Sequence, residues 1–122
     1  MSAVSYRELE VWARAMDAAE AAYALVRQFP KQEEYRLTAQ LIRAAVSIPA
    51  NIAEGHARGT RKDYAHFISI ARGSAAELET LLLLAGRAKF ASEGAIASLL
   101  EEVERVSRML NRLHTRLKEP AS

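Results

Sequence analysis

The feature that most constrains the fold is a strict heptad of apolar residues near the C-terminus. Its members follow each other in steps of four, three, four, three and four: Leu99, Val103, Val106, Leu110, Leu113 and Leu117. This spacing places apolar side chains along one stripe of a helix that packs against other helices. Ser92 is suited to cap the N-terminus of that helix. We therefore predict a helix over residues 92–118 with one buried face.

The first predicted helix covers residues 6–29. Ser5 and Glu8 have the spacing of a capping box, which favours a helix start near Tyr6. Phe29 precedes a proline, and a residue in that position disfavours helical geometry, so the helix should end there. Steps of three and four predict that the buried stripe consists of Leu9, Trp12, Met16, Ala19, Tyr23 and Val26.

Two further helices are predicted over residues 32–55 and 60–89. The apolar stripe of the second helix is Leu37, Leu41, Ala45, Ile48 and Ile52. Pro49 falls inside it and predicts a kink, because proline removes one helical hydrogen bond. Thr60 and Asp63 can cap the third helix. Its predicted stripe is Tyr64, Phe67, Ala71, Ser74, Leu78, Leu81 or Leu82, and Ala85.

The predicted fold is therefore all-α: an antiparallel up-down-up-down four-helix bundle with a proline kink in the second helix, forming one domain over residues 1–122. The chain has no cysteine, which excludes disulfides and thiolate zinc sites and is compatible with a reducing compartment. Neither a signal peptide nor an apolar run of membrane-spanning length is present. We expect a cytoplasmic protein with no membrane association.

Positive charge is concentrated in two parts of the chain. At about 100° per residue, four arginines of the last helix lie opposite its heptad, and we call them the arginine stripe: Arg105, Arg108, Arg112 and Arg116. Such a stripe suits phosphate groups, because a guanidinium can donate two parallel hydrogen bonds. There are two alternatives: these arginines only solvate an outer face, or they pair with Glu101, Glu102 and Glu104 on the same helix.

A second basic group, the loop cluster, lies between the second and third helices and consists of Arg58, Arg61 and Lys62. Basic residues near helix ends are common, and no glycine-rich phosphate loop accompanies them. The loop cluster alone is therefore weak support for a binding site. Together with the arginine stripe, it supplies the candidate nucleic-acid-binding residues.

Four residues are candidates for an oligomer interface. Leu83 and Leu84 project away from the predicted core and suggest a second contact surface. Asn51 and Glu54 follow Pro49 by about one turn, where they could bond the carbonyl of Ala45 or groups on another subunit. An enzyme is not indicated: the three histidines are scattered, a bundle diiron site lacks its second Glu/Asp–His pair, and we expect no metal, cofactor or catalytic residue.

Three segments resemble a known family: LEVWARAM at 9–16, LTAQLIRAAVSIPANIAEGHARGTRKDYAHF at 37–67 and ARGSAAELET at 71–80. The family consists of four-helix bundle proteins encoded in intervening sequences of bacterial large-subunit ribosomal RNA genes, also labelled S23 ribosomal protein. The resemblance covers about residues 6–117. It implies an up-down-up-down bundle that assembles into a ring-like homopentamer, and it does not imply an enzyme. A related branch, the accessory variability determinant of diversity-generating retroelements, is a basic pentamer that binds nucleic acid and a reverse transcriptase.

The chain departs from the family's usual pattern at the charged positions. Gly59 lies where arginine is common, and Arg72 replaces an apolar residue, so a positive charge is moved along the surface. The leading hypothesis is a homo-oligomeric, non-catalytic scaffold that presents a basic surface to RNA, DNA or an acidic protein. The alternative is a protein–protein interaction module with no nucleic-acid role.

Overall fold

The computed structural model describes residues 5–120 and contains helices but no strand within that range. Its four long helices, α1 to α4, are Glu10–Leu25, Leu37–Ala57, Arg61–Arg87 and Glu93–Lys118. Helix α1 packs against α2 and α4, and α3 packs against the same two helices. These contacts close a four-helix bundle and confirm the predicted all-helical class. None of the described helices is both long and apolar enough to cross a bilayer.

Helices α2 and α4 bury the stripes that their sequences predict. All five apolar residues of the α2 stripe are buried, from Leu37 to Ile52. In α4 the first four heptad residues are buried and the last two, Leu113 and Leu117, pack against the core while half-exposed. Among the described residues, no polar or charged residue is buried, so apolar contact holds these helices together.

The predicted start of the first helix is wrong. The hydroxyl of Ser5 accepts from the amide two residues on, at 3.2 Å, and Tyr6–Glu8 forms a single 3₁₀ turn. Leu9 then has extended backbone, with φ −77° and ψ 126°, so α1 begins only at Glu10. The capping box cannot form, because Glu8 belongs to the 3₁₀ turn rather than to the first turn of an α-helix.

The buried face of α1 also differs from the prediction. Met16 and Tyr23 were expected in the core and are 44% and 53% exposed. Of the predicted stripe, only Ala19 is buried, with 8% of its surface exposed. Alanines occupy most of the buried face, which allows close packing against α2 and α4. The buried residues of α1 are Val11, Ala15, Ala18, Ala19, Ala22 and Leu25.

The connection between α1 and α2 is longer than predicted. A 3₁₀ turn, Val26–Gln28, extends α1 up to the Phe29–Pro30 step, where the chain becomes extended as expected. A further 3₁₀ turn follows at Lys31–Glu33. Arg36 has φ −115° and ψ −110°, outside the helical region, so α2 starts at residue 37 and not at 32. Pro49 lies inside one continuous helix, and the predicted kink there stays a prediction.

The starts of α3 and α4 agree with the predicted caps. The Thr60 hydroxyl accepts from the amide of Asp63 at 3.1 Å, and the Ser92 hydroxyl accepts from the amide of Ala95 at 3.3 Å. These bonds satisfy amides that a helix start leaves free.

Helices α3 and α4 run in opposite directions, as three hydrogen-bonded pairs between them show. Arg61 pairs with Arg116, Arg72 with Asn111, and Glu79 with Ser107, so later residues of α3 meet earlier residues of α4. This is the contact pattern of two helices that run in opposite directions. The direction of the other helix pairs stays a prediction.

Candidate functional site

The arginine stripe lies on the outer surface of α4, and all four of its side chains are exposed. Within residues 5–120, the ion pairs are Glu10–Arg14, Glu33–Arg36 and Glu54–Arg58. None of them involves α4. Pairing of these arginines with glutamates of their own helix, one of the two alternatives to a binding role, is therefore not observed in the described part of the chain. The other alternative, a solvated outer face, is compatible with the same exposure.

The three residues of the loop cluster have three different environments. Arg58 pairs with Glu54 at 3.2 Å, and its guanidinium carbon lies 4.9 Å from the centre of the Phe67 ring. Arg61 donates to the backbone carbonyl of Arg116 at 2.6 Å. Lys62 lines a groove between α3 and α4. Two of the three side chains are thus engaged within the chain.

The contact from Arg61 joins the two basic groups. Arg61 opens α3 and Arg116 lies in the last turn of α4, 55 positions later. A cation beside the last carbonyls of a helix is favourable, because those carbonyls carry the negative end of the helix dipole. The loop cluster and the arginine stripe therefore meet at one end of the bundle, where Lys118 adds a further charge.

An open groove runs along the surface between α3 and α4. Its two halves share Ser69 and have volumes of about 410 and 510 Å³. Among the described residues that line it, none is acidic. The polar and charged residues of its lining are Lys62, His66, Ser69, Arg72, Ser107, Asn111, His114 and Lys118.

Arg72 is a partly buried arginine that lines this groove. Its Nε donates to Asn111 Oδ1 at 2.9 Å, and one terminal nitrogen lies 3.0 Å from Nδ1 of His114. Arginine has no acceptor, so in this contact the Nδ1 atom accepts and the imidazole is neutral. Desolvation, followed by the positive charges of Arg72 and Lys118, lowers the pKa of His114 below its usual value.

Sequence reasoning missed this groove, although a signal for it exists. In α3, Lys62, His66, Ser69 and Gly73 follow each other in steps of four, three and four. In α4 the same steps separate four other residues, Ser107, Asn111, His114 and Lys118. Each set forms a polar stripe beside the apolar stripe of its helix. Searching the polar residues for the helical period would have found both.

The four predicted interface residues fall into two separate groups, one on α2 and one near the end of α3. Asn51 donates to the carbonyl and hydroxyl oxygens of Ser47, at 2.8 and 2.9 Å, and not to the carbonyl of Ala45. The Ser47 hydroxyl in turn lies 2.8 Å from that of Ser74, which ties α2 to α3. Leu83 lies nine residues beyond Ser74, about 14 Å along the axis of α3.

The two groups of predicted interface residues also differ in polarity and in whether their side chains already have a partner. Leu83 and Leu84 are 55% and 51% exposed, as their positions predicted. Glu54 is exposed and pairs with Arg58 on its own helix. Only the leucines therefore present free apolar surface. Among the described residues, no group of three or more His, Asp or Glu side chains is arranged to hold a metal ion.

Comparison with known proteins agrees with the geometry of the bundle. The family model described as "23S rRNA-intervening sequence protein" matches residues 7–112. The chain belongs to this family. A crystal structure of a protein of unknown function from the S23 ribosomal protein family of Bacteroides thetaiotaomicron superposes with a TM-score of 0.80. That similarity is at 24% identity and covers 85% of this chain and 97% of the other, so it supports the fold alone. No curated protein matches the chain.

Proposed function

We propose that this member of the 23S rRNA-intervening sequence protein family is a non-catalytic, homo-oligomeric scaffold that presents basic surface to RNA or DNA. The observation that carries the proposal is the arginine stripe: four exposed guanidinium groups on one face of α4, with no ion pair to a carboxylate among the described residues. Unpaired arginines keep their donors free for phosphate oxygens. The proposal places the protein in the cytoplasm and requires no cofactor.

In the proposed homo-oligomer, symmetry repeats the arginine stripe. A single stripe offers few phosphate contacts and weak binding. Several copies held in one assembly bind together if the nucleic acid can span them, and the affinity then exceeds that of one copy. We propose the pentamer implied by the family resemblance as that assembly, with an acidic protein as another ligand of the same charge.

The test is electrophoretic mobility shift with structured RNA and duplex DNA at two salt concentrations. If one stripe contacts four phosphates, affinity should fall roughly 150-fold between about 50 and 200 mM salt. Arg108→Glu with Arg112→Glu should abolish the shift. The matched control is Arg27→Glu with Arg43→Glu, which makes the same charge change at exposed arginines outside the stripe. Equal loss in both double variants, or binding that salt does not weaken, would contradict the proposal.

A second candidate function is a protein–protein interaction module with no nucleic-acid role. It is favoured by an apolar depression of about 480 Å³ between α1 and α2. Met16, Tyr23 and Val46 line it and are 44%, 53% and 41% exposed. Binding at that surface should barely respond to salt, because apolar contacts are not screened. A partner recovered by pull-down and lost on Tyr23→Ser would support this alternative.

A further inference from the structure

We propose that the α3–α4 groove is a binding site for one phosphate group, bound by Arg72 in one half of the groove and attracted by the positive charges of Lys62 and Lys118 in the other half. This site is separate from the arginine stripe, since Asn111, His114 and Lys118 face α3 while the stripe occupies another side of α4. The inference depends on the proposed function only for the source of the phosphate, either a nucleic-acid backbone or a free or terminal phosphate.

The first argument is the state of Arg72. Its half-buried guanidinium is held by two neutral acceptors, Asn111 Oδ1 and His114 Nδ1, and takes part in none of the ion pairs of the described residues. Those two bonds use two of its five N–H groups. Three N–H groups of this partly exposed guanidinium therefore remain without a partner among the described residues. The groove leaves space for an anion beside them.

The second argument is the charge of the surrounding lining. Lys62 and His66 on α3, and His114 and Lys118 on α4, face the same half of the groove, and none of the described lining residues is acidic. The small residues Gly73, Ala76 and Ser107 line the other half and keep it open. An added Cβ on Gly73 would meet nothing within 4 Å. The groove therefore combines uncompensated positive charge with room for an anion.

The contact between Arg72 and His114 implies that binding is linked to a proton. A bound anion favours a protonated His114, and a protonated imidazole can no longer accept from Arg72. The guanidinium then turns its free N–H to the anion. Arg72 lowers the pKa of His114 in the empty groove, so an anion that neutralises this charge should raise that pKa. By linkage, the anion must bind more tightly as the pH falls through the titration of His114.

The experiment follows the histidine signals of the full chain by NMR, with ¹³C at the Cε1 carbons, between about pH 5 and 8. Sulfate is the probe, because it keeps two negative charges over this range, and chloride at equal ionic strength is the reference. The pKa of His114 should rise by about 1 unit in sulfate, as expected for an opposite charge within 4–6 Å. His56, which packs edge-on against Tyr64 and does not line the groove, is the internal control, and its chemical shift should be the same in sulfate and in chloride.

Variants distinguish anion binding in the groove from a nonspecific effect of the protein's net charge. Lys62→Gln with Lys118→Gln should weaken sulfate binding about tenfold, and Arg72→Gln should weaken it at least as much. The two lysines are exposed, so this pair tests the site even if Arg72→Gln fails to fold. The matched control, Arg27→Gln with Arg43→Gln, removes the same charge from exposed arginines outside the groove and the arginine stripe, and should leave sulfate binding unchanged. An equal loss in that control would overturn the proposal.

The source of the phosphate is tested with inorganic phosphate and with a dinucleotide that has one internal phosphodiester and no terminal phosphate. A shift of the His114 signal by the dinucleotide assigns the groove to a nucleic-acid backbone. A shift by inorganic phosphate alone assigns it to a free or terminal phosphate. If neither these probes nor sulfate moves His114 while the arginine stripe still binds RNA, the groove proposal is wrong and the proposed function stands. If the groove binds these anions but the protein binds neither RNA nor DNA, the groove proposal stands and the proposed function is wrong.

Discussion

At the scale of single residues, Gly55 lies where α2 is in close contact with α3. A Cβ at this position would lie 2.7 Å from the Cβ of Phe67 and 3.2 Å from the Tyr64 ring. The first of these contacts is shorter than real carbon contacts, and a Cβ cannot rotate away. We expect Gly55→Ala to lower the free energy of unfolding by about 1–3 kcal/mol, the usual cost of overpacking. Urea denaturation would measure it.

Gly94→Ala is the control for this prediction. Gly94 lies in the first turn of α4, and an added Cβ there would meet nothing within 4 Å. Alanine forms helix better than glycine by up to about 1 kcal/mol, so this variant should be as stable as the parent or slightly more stable. If both substitutions destabilise the protein equally, close packing at Gly55 is not the cause.

At the scale of helices, Arg61 ties the start of α3 to the end of α4. It donates to the carbonyls of Arg116, at 2.6 Å, and of Glu119, at 3.5 Å. We expect Arg61→Ala to loosen the last turn of α4 and to cost about 0.3–1 kcal/mol, as for a cation removed from a helix C-terminus. Amide hydrogen exchange should show lower protection over residues 114–118.

Lys62→Ala is the matched control, because it removes an exposed cation next in sequence that makes no hydrogen bond to the end of α4 among the described residues. The two variants also separate structure from binding. If Arg61→Ala weakens RNA binding without changing exchange in α4, Arg61 contacts the ligand directly and its bond to α4 is dispensable.

The helices also show which parts of the fold the sequence predicts and why. In α4 and α2, large apolar residues occupy a single stripe. The helical period of the apolar residues and the size of their side chains therefore predict the same buried face. In α1, alanines lie on several faces, and the prediction chose the stripe with the largest side chains. The bundle buries the alanines and leaves Met16 and Tyr23 half-exposed. Whether alanines or larger side chains are buried depends on how closely α2 and α4 approach α1. The sequence of α1 alone does not contain that distance.

At the scale of the whole molecule, the same limit applies to the candidate site. The arginine stripe is a property of one helix, and its period predicted its common exposed face. The α3–α4 groove requires Arg72 to lie beside His114, 42 positions away, and this depends on the register of two helices. Each polar stripe is visible in the sequence, but their juxtaposition is not. The pattern within one helix therefore predicts the arginine stripe, whereas the groove depends on how α3 and α4 pack together.

The proposed homo-oligomer is a prediction at the scale of the whole molecule. Leu83 and Leu84 present two half-exposed leucines near the end of α3. If they form the subunit interface, Leu83→Ser with Leu84→Ser should raise the dissociation constant more than tenfold, since each leucine loses its apolar burial. Light scattering should then show the mass fall from about five copies of the 13.5 kDa chain towards one.

Met16→Ser with Tyr23→Ser is the control, because it removes similar exposed apolar surface from α1. If this control dissociates the assembly and the leucine variant does not, the interface lies on the α1–α2 side. An oligomer disrupted at the leucines should keep the salt dependence of each arginine stripe but bind nucleic acid more weakly overall, because only the repetition of the stripe is lost. A monomer that binds as tightly as the assembly would show that one chain carries the whole site.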